Sequence, residues 1–273
     1  MIEQIQYYLS YDFVRNALIA GTLAAILGAV VGYFVVIRKV SFAAHSLAHI
    51  GFTGATGAVL FALSPLEGML IISAAAGLMM GAYGNRLQRS DMAIGMTLSI
   101  CLGVGTLFLA LSKGFAGQAT AILFGDIFGV SHHQIVQTLF LSVISLGTLL
   151  FVSRKLLFAS VQPDLAEARG ISLSVLSIVF MVILAVSVSL ASQVVGILLV
   201  FILIIGPAGI AIRLCRNFWS GLIMSVVTGL LAVWIGILLA CRTSWPPSFW
   251  ITAILFGIYA ATEIACRWRH QTC

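Results

Sequence analysis

Two histidines four residues apart, His45 and His49 in AHSLAHIGFTG (44–54), stand inside an apolar run. In a helix, residues i and i+4 share a face, so this spacing brings both imidazoles to one side. A buried polar group is costly unless partnered, and an ionisable residue inside a membrane span points to a site or pathway. Neutral imidazole suits zinc, iron and related transition metals, and the same pair could relay protons. A third reading is structural, with each ring bonded to a backbone carbonyl. Two ligands are half of the four that a tight zinc site uses. Either a further chain or span completes the set, or binding is weak and transient, as transport favours because the ion must also leave.

Other polar residues read more plainly. Asp126, between Gly125 and Ile127, is expected to cap the following turn, with an outer vestibule as the alternative role. His132 and His133 are adjacent, point in different directions on a helix, and read as interfacial. Glu263 lies four residues before Arg267, the spacing of a helix ion pair. No G-x-x-x-x-G-K-[ST], H-E-x-x-H or G-x-S-x-G occurs, so the chain offers neither a phosphate cradle nor a hydrolytic motif. The reading is not an enzyme: uphill transport would draw on an ATPase partner or an ion gradient. Cys101, Cys215, Cys241, Cys266 and Cys273 form no C-x-x-C pair and read as small apolar residues.

The elements that must position these groups follow from composition. Of 273 residues, 61% are hydrophobic and 8% charged, against roughly 25% charged in soluble domains. The mean hydropathy is +1.15. Too few polar residues remain to cover a water-soluble surface, so the expected fold is all-α, a polytopic membrane helical bundle. The net charge of +6 sits at segment ends, which argues for orientation marks and against nucleic-acid binding. A span needs about 20 apolar residues. Nine stretches qualify, near 14–36, 43–62, 66–85, 92–111, 133–152, 172–191, 194–212, 218–240 and 248–266, with eight spans if one is re-entrant. Arg38, Lys39, Arg86, Arg89, Arg154, Lys155, Arg169, Arg213, Arg216, Arg267 and Arg269 fall on one side. Arg15, Lys113 and Arg242 fall on the other. The excess marks the cytoplasmic face, leaving the N-terminus outside and the C-terminus inside. MIEQIQYYLSYDF carries Glu3 and Asp12 with no basic n-region, unlike a cleavable signal peptide.

Three segments depart from plain crossing. Residues 112–132 are apolar but too short to span, are broken by Gly114, Gly117, Gly125 and Gly129, and read as a short outer or re-entrant helix bearing Asp126. In SVQPDLAEARGIS (160–172), Pro163 can open a short helix and Gly170 close it, giving a docking element or a plain amphipathic connector. In GILLVFILIIGPAGIA, Gly206 and Pro207 are expected to break the seventh span or kink it. Gly28 with Gly32 and Gly77 with Gly81 favour close helix approach.

Taken in order, FVVIRKVSFAAHSLAHIGFTG (34–54), SDMAIGMTLSICLGVG (90–105), ILFGDIFGVS (122–131), QPDLAEARGIS (162–172) and VVGILLVFILIIGPAGIA (194–211) resemble the manganese/zinc/iron permease family of ATP-binding cassette importers. The resemblance covers essentially the whole chain, 1–273, as a single transmembrane permease domain in a bacterial cell membrane. It implies a core of two permeases, usually a homodimer, with cytoplasmic ATPase subunits and an extracytoplasmic metal-binding protein. The ligand would be transported divalent metal, with no tightly bound cofactor. The family's pathway histidine falls on His49. Its usual G-D pair falls on Ala44 and His45, so an imidazole replaces a carboxylate, which favours zinc over manganese or iron. The coupling helix toward the ATPase falls within 162–170, on Pro163, Asp164, Leu165, Glu167, Arg169 and Gly170. A self-contained secondary metal transporter driven by protons or sodium is the alternative, although no paired internal repeat is evident.

Overall fold

The apolar runs fold as helices whose ends lie close to those expected. The computed structural model describes residues 11–83, 91–112 and 121–271. The first half contains α1 (Asp12–Ile37), α2 (Ser41–Leu60), α3 (Pro65–Tyr83), α4 (Asp91–Leu111) and α5 (His132–Val161). The second contains α6 (Pro163–Ala168), α7 (Leu173–Val195), α8 (Ile197–Leu214), α9 (Phe218–Thr243) and α10 (Pro247–Gln271). Among the described residues, 8 helices are long and apolar enough to cross a membrane: α1, α3, α4, α5, α7, α8, α9 and α10. The remaining long helix, α2, has 20 residues and carries the histidine pair. The expected charges and glycines at Glu3, Arg86, Arg89, Lys113, Gly114 and Gly117, and Cys273, lie outside the described residues.

Helix α2 is enclosed by α3, α4, α7 and α8, while α1 packs on α5, α7, α8 and α9. In a bilayer, association rests on close packing and interhelical hydrogen bonds. Ser225 donates to the Ala29 carbonyl (3.1 Å), and Arg38 donates to the Ser177 hydroxyl (2.9 Å) while its guanidinium lies 4.9 Å from the Phe180 ring centroid. The latter contacts tie the end of α1 to the start of α7. At the opposite end, Phe13 meets Phe128 edge-on at 5.8 Å, and Trp245, Phe249 and Trp250 form an aromatic cluster, as membrane–water interfaces favour.

Three expectations change in detail. Helix α5 has 30 residues instead of ending near 152; at 1.5 Å per residue it runs about 45 Å, beyond the roughly 30 Å hydrocarbon core. Arg154 and Lys155 end the apolar run but do not break the helix, which continues until Pro163 opens α6. The seam expected at Ser192 and Gln193 lies instead at Gly196, because α7 runs through both residues to Val195. Gly196 has φ +92, a conformation open to glycine at little cost, and reverses the chain with one residue outside either helix. The expected break at Gly206 and Pro207 is absent: α8 is continuous from Ile197 to Leu214. Pro207 still removes the N–H that would bond the Leu203 carbonyl. Gly28 and Gly32 bring α1 against this stretch of α8, and a Cβ added at Gly32 would overlap the Ile204 carbonyl oxygen. Close backbone packing thus covers the place where the proline loosens the ladder.

The described part of the connection between α4 and α5 is helical over 121–124 and then forms a 3₁₀ turn, Ile127–Gly129. Its 3₁₀ turn packs on α1 and α7, and Gly125 meets the Gly196 seam with backbone against backbone.

Candidate functional site

The histidine pair owes its place to the turn before it. Lys39 takes φ 58, which closes α1 and lets α2 start at Ser41. His45 then lies about 6 Å and His49 about 12 Å along the α2 axis, from the 1.5 Å rise per residue. Both belong to the half of α2 nearer Arg38. Their ring centroids are 4.6 Å apart with planes at 76°. Phe201 of α8 also meets His45 edge-on, 5.0 Å away. Both imidazoles are half-buried. His49 Nδ1 is buried and has no hydrogen-bond partner. No carbonyl bond holds either ring among the described residues.

Hydroxyls around the pair are satisfied within the helices. Ser46 donates to the Phe42 carbonyl (2.9 Å), Thr56 to the Phe52 carbonyl (2.9 Å), and Thr53 to the Cys101 carbonyl of α4. Of these, the Thr53 bond ties α2 to α4 and the other two stay within α2, while His49 Nδ1 remains unsatisfied. No group of three or more His, Cys, Asp or Glu residues suited to a metal ion occurs among the described residues. One chain therefore brings two imidazoles together, half the number of ligands that a tight zinc site uses.

Asp126 caps the 3₁₀ turn: its carboxylate accepts from the Gly129 N–H at 3.0 Å. It also lines a cavity at the end of the bundle away from His45. His133 lines the same cavity from the first turn of α5.

Helix α6 is a six-residue projection whose ends match the expected signals. Pro163 stands in its first turn, where a missing N–H costs nothing. Gly170 has φ +76 with open space around it. The Gly170 N–H reaches the Glu167 carbonyl (2.9 Å) and the Ile171 N–H the Ala166 carbonyl (3.0 Å), a Schellman closure. Ala166 is fully buried and anchors the helix. Asp164, Leu165, Glu167, Arg169 and Gly170 are exposed, and the Arg169 guanidinium lies 5.3 Å from the Phe158 ring centroid. Glu263 pairs with Arg267 at 3.5 Å as its spacing implies, but its shorter pairing is with Arg213 of α8 at 2.7 Å. No local spacing could have revealed that partner. Phe201 was missed for the same reason.

These helices define a polytopic α-helical membrane protein with a half-buried histidine pair on α2. The chain belongs to the ABC 3 transport family, whose pattern matches residues 10–265. An uncharacterized membrane protein of Synechocystis is 29% identical over 95% of this chain and 92% of its own. The manganese import system permease protein ScaB of Streptococcus parasanguinis is 27% identical over 83% of this chain and 81% of its own. The high-affinity zinc uptake system membrane protein ZnuB of Haemophilus influenzae is 24% identical over 84% and 88%. The solved structure of PsaBC from Streptococcus pneumoniae in complex with Fab shares the fold, with TM-score 0.85 and 24% identity over 96% of this chain and 95% of that one.

Proposed function

We propose that this chain is the membrane-spanning permease subunit of an ATP-driven importer of divalent transition metal in a bacterial cell membrane. Family membership and relatives named for manganese and zinc uptake support it. The whole chain acts as one permease domain with its C-terminus cytoplasmic, as the distribution of basic residues supports. ATP is hydrolysed on partner subunits that dock on α6, and an extracytoplasmic metal-binding protein delivers the ion.

The observation that carries the site is the His49 imidazole, edge-on to His45, with a buried Nδ1 that no protein group satisfies. A structural histidine would hold a carbonyl bond there. A second copy of the chain supplies two further imidazoles, completing four nitrogen ligands. Nitrogen ligation without a carboxylate favours zinc over manganese.

The test is uptake of zinc, manganese and iron into vesicles holding the complex, with and without its ATPase. Zinc uptake that needs ATP and the ATPase is expected, as is a shift toward manganese in His45→Asp. Uphill uptake driven by a proton gradient alone would overturn the importer reading. Unchanged selectivity in His45→Asp would remove the pair from the pathway.

A further inference from the structure

A second polar place lies far from the histidine pair. At the end of the bundle opposite Arg38, a cavity of ≈ 510 Å³ opens between α3, α5, α7 and the 121–131 connection. Glu67 and Asp126 supply its negative charge, His133 stands at its rim, and no Lys or Arg lines it among the described residues. Ser192, also in its wall, is only 2% exposed, and its hydroxyl has no hydrogen-bond partner. The neighbouring Gln193 also lines the cavity, and its Oε1 is buried and unpartnered. A buried hydroxyl and a buried amide oxygen left unsatisfied on two lining residues call for a polar occupant.

The carboxylates are held without being neutralised. Glu67 Oε2 accepts from the Ser64 N–H at 3.2 Å, and Asp126 Oδ1 accepts from the Gly129 N–H at 3.0 Å. Each keeps its other oxygen. Gly129 provides the room, since a Cβ there would overlap the Asp126 carboxylate. Oxygen-rich, negative surroundings suit a hard or hydrated divalent cation. Yet no three His, Cys, Asp or Glu side chains converge closely enough among the described residues to strip an ion of water. The volume accommodates the hydrated ion: six waters at roughly 30 Å³ each need about 180 Å³.

We propose that this cavity is an outer antechamber that holds a divalent cation with its water shell intact. Glu67 and Asp126 attract it through the shell, while Ser192 and Gln193 bond the waters. The ion is passed from there toward the imidazoles, so the site's role as an antechamber rests on the importer reading. Dehydration is thereby separated in space from capture. Each carboxylate acting at about 6 Å through water on a charge of two contributes roughly tenfold in affinity.

The test uses the full-length chain in lipid nanodiscs with Mn²⁺ alone as the probe, in a His45→Ala/His49→Ala background so that the imidazoles are silent. Electron paramagnetic resonance gives occupancy, and proton double resonance gives the number of bound waters. Bound Mn²⁺ retaining its full water shell is expected. Glu67→Gln with Asp126→Asn should weaken it about 100-fold, and both variants keep the oxygen that each cap requires. If that double variant does not fold, Gln193→Glu decides, with about tenfold tighter binding expected. Mn²⁺ bound with most waters lost, equal affinity in the charge-neutralised variant, or no binding in the histidine-free background overturns the proposal. Hydrated Mn²⁺ held here by the two carboxylates, together with unimpaired metal uptake by His49→Ala complexes, would sink the pathway role of the histidines and leave this site standing.

Discussion

Replacing His49 with alanine separates a ligand from a packing residue, because the two roles predict opposite balances of stability and activity. The native ring leaves Nδ1 buried and unbonded, a cost of about 1–3 kcal/mol that the substitution removes. Against this stands lost packing: truncating a fully buried large side chain costs about 2–5 kcal/mol, and roughly half of that applies to a half-buried ring. The terms nearly cancel, so the stability of the folded chain should change by about 1 kcal/mol or less. For a chain of this size that is a shift of about 4 °C or less in Tm. Activity behaves otherwise. Loss of even an outer-shell partner lowers metal affinity by about 10–100-fold, so loss of a direct ligand should lower uptake at limiting zinc by at least about 100-fold. The assay is thermal unfolding of the detergent-solubilised complex beside vesicle uptake normalised to folded protein. A large fall in Tm with normalised uptake preserved would refute the ligand assignment and make His49 a packing residue.

Other outcomes follow from the same geometry. Gly32→Ala should cost about 1–3 kcal/mol by pushing α1 from the Ile204 carbonyl. Gly28→Ala, whose nearest contact would be an ordinary 3.5 Å, should be neutral or slightly stabilising; equal melting of the two variants would refute the close approach. Cysteine at Leu165, exposed on α6, should crosslink to the ATPase subunit, and labelling of that cysteine only from the outer side would reverse the topology. Gly170→Ala should destabilise the α6 end by about 1 kcal/mol through its left-handed backbone and reduce ATP-coupled uptake, read as uptake per ATP hydrolysed. Glu263→Gln should move stability by less than about 1 kcal/mol, since the Arg213 pair is about one third exposed; a larger fall in unfolding free energy would show that the pair is effectively buried.

Residues whose meaning is local were legible in the sequence. Nine apolar runs gave helix positions because a span must satisfy its backbone internally, and Pro163 with Gly170 delimited α6 because one lacks an N–H and the other tolerates positive φ. The i,i+4 rule placed His45 beside His49. What escaped depended on residues far apart in the chain. Phe201 meets His45 across 156 residues of sequence (201 minus 45), and Arg213 reaches Glu263 from another helix. Glu67, Asp126 and Ser192 come from three separate segments to one cavity. The Gly196 reversal was hidden for another reason: Ser192 and Gln193 are the polar residues between two apolar runs, yet both lie inside α7 and line that cavity. Pro207 shows the converse, a breaker residue overruled by the packing of α1 on its helix.

The histidine helix has a consequence for how the protein is made. Ser41–Leu60 is long enough to cross but is not among the eight helices apolar enough to do so by composition, since two imidazoles and several hydroxyls dilute its apolar residues. Such a segment gains little by leaving the translocation channel for lipid alone. It is joined to α1 by only residues 38–40 and to α3 by 61–64, so it can enter as the inner arm of a hairpin, shielded from lipid by strongly apolar neighbours before and after it. The residues suited to carrying an ion thus make this helix dependent on its neighbours for membership of the membrane at all.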